Sequence, residues 1–173
     1  MADAVFSACF LNMCLRHLES VRMACMAPAV NARGPLFVHP NGLVRRTTFH
    51  TLAMYANLLA ENVAEAWTAG DPFSHGGSSV QALDAVATCD AGMRRWRLAL
   101  VNRHPEEYLA CTVVLPGQTL AGVCRATVLA GDSPDAFNDV EYPQRVLPVH
   151  TELHFNGGVA SLPPHSVTIV QIE

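Results

Sequence analysis

The residues best able to do chemistry in this chain are a serine, two histidines and a scatter of carboxylates. Ser133 closes the triplet Gly131-Asp132-Ser133, a setting from which a serine can attack an ester. Such a serine needs a base to take its proton and donors to hold the oxyanion. The triplet lies in a Pro- and Asp-rich loop with no obvious histidine motif after it, so an ordinary turn is the favoured interpretation. A catalytic version would have to recruit His150 or His154. These two are four apart, and on a strand that spacing puts both on one face. It would suit a metal pair, but packed or exposed sheet histidines are the plainer account, and no metal or other cofactor is expected.

Paired carboxylates would point to glycoside hydrolysis, one acting as acid/base and the other as nucleophile. Glu61 and Glu65 fall at or beyond the end of a predicted helix, Glu106 and Glu107 in a turn, and Glu152 in a predicted strand. A solvated surface role is expected for each. There is no glycine-rich phosphate loop. The 11 basic and 15 acidic residues are dispersed and leave a formal net charge of −4. No stripe is present to neutralise a phosphate backbone or an anionic membrane, so neither nucleic acid nor membrane is expected as a partner.

The elements that must position these residues come from a chain of 173 residues, half of them apolar, enough for one good-sized domain or a domain with an appendage. The six cysteines, Cys9, Cys14, Cys25, Cys89, Cys111 and Cys124, show no C-x-x-C spacing and sit mostly among apolar neighbours. They are expected to be reduced, buried thiols. The start is apolar but lacks a basic leader region, and its uncharged run falls short of the roughly 20 residues of a membrane span. A cytoplasmic setting is expected.

Apolar residues at Phe6, Cys9, Phe10, Met13, Cys14, Leu18 and Val21 predict a helix over Asp3 to Val21, with Asp3 capping its first turn. Asn12, Arg16, Glu19 and Ser20 are nearly all the polarity it has, so they are expected to form its thin exposed face and the rest to be covered. Arg22 to Val30 reads as a short, buried, extended segment. Pro35, Pro40 and Asn41-Gly42 mark turns. Thr47 or Thr48 then suits the N-cap of a second helix running to about residue 60. After a turn-rich stretch, strand-like runs are predicted at Val80 to Cys89, Trp96 to Asn102, Leu109 to Leu115, Leu120 to Leu129, Val149 to Phe155 and Ser166 to Ile172. Their alternation suggests half-buried antiparallel strands in a β-sandwich. The loop Gly131 to Pro148 is too long for a tight hairpin and is expected to cross between sheets or cover an edge.

Several blocks are familiar as they stand. Arg22-Met-Ala-Cys-Met-Ala-Pro-Ala-Val-Asn31, Arg33-Gly-Pro-Leu-Phe-Val-His-Pro40, Arg46-Thr-Thr-Phe-His50 and Met54-Tyr-Ala-Asn57 resemble the late part of family-51 α-L-arabinofuranosidases. The resemblance continues through Leu83-Asp-Ala-Val-Ala-Thr88, Trp96-Arg-Leu-Ala-Leu-Val-Asn-Arg-His-Pro105 and Leu162-Pro-Pro-His-Ser-Val-Thr-Ile-Val170, and so covers essentially the whole chain.

The resemblance implies a mainly β fold with an α-helical N-terminal appendage. Residues 1–60 would be a helix-strand-helix piece of a (β/α)₈ barrel, 61–79 a linker, and 80–173 a jelly-roll-like antiparallel β-sandwich. It also implies an arabinose-containing glycan as the family's substrate, hydrolysed with retention by two glutamates on earlier barrel strands, which match nothing here. Many relatives carry a sugar-contacting glutamine just before the Val-Asn pair, where this chain has Pro28. Asn31 is left as the candidate substrate contact. Helices that evolved to be buried in a barrel would leave an apolar surface, so a homo-oligomer through the apolar helices is expected.

Overall fold

The alternating runs around Trp96 and Val167 form the centre of the molecule, and the other elements are laid on their two faces. The computed structural model describes residues 1–173, the side chains of His75 and Gln118 excepted. In chain order come α1 (Ala2–Arg16), a hairpin of β1 (Leu36–His39) and β2 (Gly42–Arg45), and α2 (Thr47–Leu58). Next are β3 (Asn62–Ala64), a hairpin of β4 (Pro72–His75) and β5 (Ser78–Gln81), β6 (Leu83–Cys89) and β7 (Trp96–Asn102). The chain continues with β8 (Leu109–Thr112), a small hairpin of β9 (Val114–Leu115) and β10 (Gln118–Thr119), and β11 (Gly122–Leu129). It ends with β12 (Val149–Phe155), β13 (Val159–Leu162) and β14 (Ser166–Ile172).

Six strands form one antiparallel sheet in the order β12-β11-β14-β7-β6-β3. Because side chains alternate along a strand, this sheet has two apolar faces. Val86, Ala99, Val101, Leu129, Val167 and Ile169 point toward the helices and pack with Ala4, Ala8, Met54 and Tyr55. Trp96, Leu98, Leu100, Val170 and Ile172 point the other way, onto Cys111, Leu115, Phe155, Ala160 and Leu162. Strands β8 and β13 pair with each other there, giving the second layer of the sandwich. The antiparallel sandwich with two N-terminal helices is therefore as expected. The central strands, however, are buried on both faces and not on one, because the helices seal the side that an ordinary sandwich would leave wet.

Helix α1 stops at Arg16, short of Val21, and its N-cap is Met1, not Asp3. Which face it buries also reverses the expectation. Ala4, Ser7, Ala8 and Asn12 point inward, and their small size lets the helix lie close to the sheet, whereas Phe6 is 73% exposed. The reason lies on β6, which presents a buried carboxylate, Asp84, to the helix. Asn12 Nδ2 donates to Asp84 Oδ2 at 3.0 Å and Arg16 Nη1 to Asp84 Oδ1 at 3.0 Å and to Ala85 O at 2.8 Å. From α2 the Tyr55 hydroxyl lies 2.7 Å from Asn12 Oδ1 and 3.2 Å from Ala8 O. A buried polar group is tolerable only when partnered, so this network decides how α1 is rotated. Of the expected polar face, only Glu19 and Ser20 are exposed and make no contact with the sheet, bonding instead to His17 within their own turn.

Residues 22–30 are not the buried extended segment expected. All but Met26 are exposed, and apart from a bridge between Val30 and Leu36 no strand forms there. The run is apolar enough to be buried, but no element of this chain lies over it. Helix α2 begins after Arg46 and has no side-chain cap; Thr47 and Thr48 lie inside its first turn. The loop Gly131 to Pro148 joins neighbouring strands of one sheet instead of crossing between sheets. It folds back over the start of α1, where Pro134 O accepts from Ala2 N–H at 2.8 Å and Ala136 O accepts from the Met1 amine. Asn138, fully buried, pins it by donating to Arg45 O and Val146 O, each at 2.9 Å.

Candidate functional site

Both helices begin at the same end of the molecule, and a cleft of about 680 Å³ opens between their first turns. Asp3 and Phe6 line it from α1, Arg33 and Phe37 from the loop and β1, Arg46, Thr47 and Thr48 from α2, and Phe137 and Asp139 from the β11–β12 loop. The loop wall is fixed by local geometry. Asn31 adopts a left-handed conformation (φ 56°), its N–H donating to Leu36 O at 2.7 Å and its carbonyl accepting from Gly34 N–H at 2.6 Å. At Gly34 an added Cβ would lie 2.7 Å from Pro28 O and from Ala29 C, so only glycine allows this close approach. Arg46 ties the same loop to α2, donating to Ala32 O and Gly34 O with its guanidinium 5.0 Å from the Phe37 ring centroid.

Asn31 itself lies at the edge of this region and is exposed. Its side-chain oxygen accepts from Val38 N–H at 2.7 Å, which commits that atom to holding β1. Ser133 sits in the loop over α1, and its carbonyl accepts from Ala136 N–H at 3.1 Å. No hydrogen bond joins Ser133 to His150 or His154 among the described residues. The other members of its triplet are engaged. Asp132 makes a two-pronged contact with Arg145 Nη2 (2.9 and 3.0 Å), which holds its carboxyl below the usual carboxylate range, and Gly131 O lies 3.0 Å from His165 Nε2. His150 and His154 do share a face of the edge strand β12, both exposed, with His150 Nδ1 2.9 Å from Thr127 Oγ1. Among the described residues no group of three or more His, Cys, Asp or Glu is placed to hold a metal ion.

Glu61, Glu65, Glu106, Glu107 and Glu152 are all exposed, as a solvated role requires. All six cysteines are free. Cys14, Cys89 and Cys111 are buried as expected, Cys9 and Cys124 partly so, and Cys25 is exposed because it falls in the uncovered segment. Burial pushes the Cys9 thiol up to about 12 and Cys111 up to about 11, so neither is a ready nucleophile. The cleft residues Arg33, Thr48 and Asp139 were not legible from sequence as a group. Pro35 and the loop's polar character marked turns, but nothing local says that loops 100 residues apart meet.

Comparison with known proteins places this geometry. The family model for the α-L-arabinofuranosidase C-terminal domain matches residues 1–166. An intracellular exo-α-(1→5)-L-arabinofuranosidase of Bifidobacterium longum is 30% identical over 182 residues, covering 99% of this chain and 32% of the relative. One of the same description from Streptomyces lividans is 31% identical over 150 residues, covering 84% and 22%. Among solved structures, a family 51 α-L-arabinofuranosidase from Bifidobacterium longum superposes with a TM-score of 0.83 at 32% identity, over 99% of this chain and 35% of that one. The chain thus spans about a third or less of the curated relatives it matches. In the described residues no helix is long and apolar enough to cross a membrane. Matched over residues 1–166, this chain belongs to the α-L-arabinofuranosidase C-terminal domain family, the C-terminal part of family 51 enzymes.

Proposed function

We propose that this chain works as the C-terminal part of an α-L-arabinofuranosidase. In this reading it completes and stabilises a catalytic portion and supplies neither the acid/base nor the nucleophile. Residues 1–60 would contribute a helix-strand-helix piece of the barrel, 61–79 a linker, and 80–173 the sandwich that braces it. The substrate of the assembled enzyme would be terminal arabinofuranosyl groups of arabinan or arabinoxylan, met in the cytoplasm.

The observation that carries this reading is the uncovered face beside α1. Phe10, Met13, Leu18 and Met23 are exposed together, and Met23 is 80% exposed. Next to them no main-chain hydrogen bond forms for residues 22–28 among the described residues. An apolar surface joined to an unpaired backbone is a poor partner for water and a good one for another polypeptide. The homo-oligomer expected from sequence draws on the same face.

The test is complementation. The Bifidobacterium longum relative, shortened by its C-terminal third, would be co-expressed with this chain and assayed on a nitrophenyl arabinofuranoside. Co-purification with turnover far above that of either part alone is the expected result. Turnover by this chain alone, or no association, would overturn the reading. Ester hydrolysis through Ser133 with His150 or His154 finds no support in the pairing of Asp132 with Arg145; turnover of nitrophenyl acetate lost in Ser133→Ala would revive it.

A further inference from the structure

The six-stranded sheet ends in two edges of different kinds. At one, β3 runs for only three residues, too short to template another strand. At the other, β12 runs for seven, and its register with β11 is unbroken from Gly122 opposite Phe155 to Val128 opposite Val149, with no bulge. Residues 149–155 include no proline, lysine or arginine, the residues that commonly guard an edge. Among the described residues, no main-chain hydrogen bond of 149–155 runs to anything but β11. The outward N–H and C=O groups of β12 therefore form an open ladder, which another strand can join.

The side chains decide which strand. His150, Glu152 and His154 share one face and are all exposed, so donor and acceptor alternate along it. His150 Nδ1 lies 2.9 Å from Thr127 Oγ1, which leaves Nε2 for another partner. Arg125, beside Glu152 on β11, pairs with Glu173 at 2.9 Å, and Glu152 has no ion-pair partner among the described residues. On the other face Val149 is 59% exposed, Thr151 is exposed and Leu153 is half-buried.

A second β12, laid antiparallel about a two-fold axis at Thr151, matches both rows. Each His150 then stands opposite Glu152 of the other copy, each Val149 opposite Leu153, and Thr151 meets itself. An axis at Glu152 would oppose two carboxylates and set His150 against His154, and an axis at Leu153 would set Thr151 against Phe155, which is buried in its own sandwich. We propose that β12 pairs with β12 of a second copy of this chain about a two-fold axis at Thr151, joining the two sheets into one. This contact is separate from the outer face of α1 and does not rest on the arabinofuranosidase reading.

The test is analytical ultracentrifugation of the full chain over a concentration series, which should show a reversible dimer. His150→Glu puts carboxylates opposite each other at both symmetry-related positions and should raise the dimer Kd about tenfold. Adding Glu152→His restores the complementary pair and should return the Kd to within about threefold of the parent. Both side chains are exposed, so neither change should disturb folding. The axis is read by disulfide formation in a Cys25→Ser background. Thr151→Cys should close a covalent dimer, since directly opposed residues bring their Cα atoms to about 4.5–5.5 Å. Val149→Cys and Leu153→Cys should not, each lying about 13 Å from its own copy. The proposal is overturned by a monomer at every concentration, by a Kd that His150→Glu leaves unmoved or that the double variant fails to restore, or by cross-linking at position 149 or 153 and not at 151. A dimer that Phe10→Ser dissociates while His150→Glu leaves it intact would belong to the outer face of α1 and overturn the proposal as well.

Discussion

The two long faces of α1 differ more than any other pair of surfaces in this protein. The inner face carries small residues and two polar ones, Asn12 and Arg16, all tied to the sheet or to α2. The outer face carries Phe6, Phe10 and Met13 and touches solvent. By hydrophobicity the faces are the wrong way round. What sets the rotation is partner satisfaction: Asp84 needs donors inside the structure, whereas exposed phenylalanine only forgoes burial. The difference teaches that the inner face is already complete, and it leaves the outer one open for the contact proposed above.

If the inner face is held by its network, breaking the acceptor should have the largest effect. Asp84→Ala leaves Asn12 buried without its partner and Arg16 without its charge partner. It should lower stability by about 3 kcal/mol, read as a shift of the urea midpoint at unchanged slope. A midpoint within error of the parent would mean that packing alone orients the helix. Tyr55→Phe removes one hydroxyl from the same network and should cost about 1 kcal/mol in the same experiment.

The start of α2 gives a pH-dependent version of the comparison. Burial, with Arg45 nearby, lowers the His50 imidazole below its ordinary value, and its Nε2 has no partner. The folded state thus takes up the His50 proton less readily than the unfolded state. Stability should be full above about pH 6.5, the unfolded value, and fall as pH drops from there toward the depressed folded value. His50→Gln should flatten that part of the stability–pH curve, and an unchanged slope would assign it to other groups. The smallest effect is expected on the outer face. Phe10→Ser should change the stability of the isolated chain by less than about 0.5 kcal/mol, while reducing capture of the truncated Bifidobacterium longum relative. A large loss of stability would show that the outer face is already part of this fold's own core.

The sheet strands were largely legible because their alternation is a local signal: Trp96–Asn102 and Ser166–Ile172 appear where the period of two placed them. The family resemblance was legible because it needed only the order of residues. Strand β13 was missed, although Asn156-Gly157-Gly158 followed by Val159 and Ala160 carries a turn and an alternation. The face of α1 and the exposure of residues 22–30 could not be read locally. Each depends on what lies opposite, a carboxylate on β6 in one case and no covering element in the other. The cleft was invisible for the same reason, since Arg33 and Asp139 meet only after the sheet has brought their loops together.

Strand β14 has one more consequence, for the order of events during synthesis. It lies in the middle of the six-stranded sheet, between β11 and β7, yet it is the last strand in the chain. Until it arrives, β12-β11 and β7-β6-β3 are two separate ribbons, each with an open edge, and α1 has only the β6–β7 part of its floor. A nascent chain stalled before Ser166 should therefore be cut readily by protease at the open edges of β11 and β7. Release of the last eight residues should protect it in a single step.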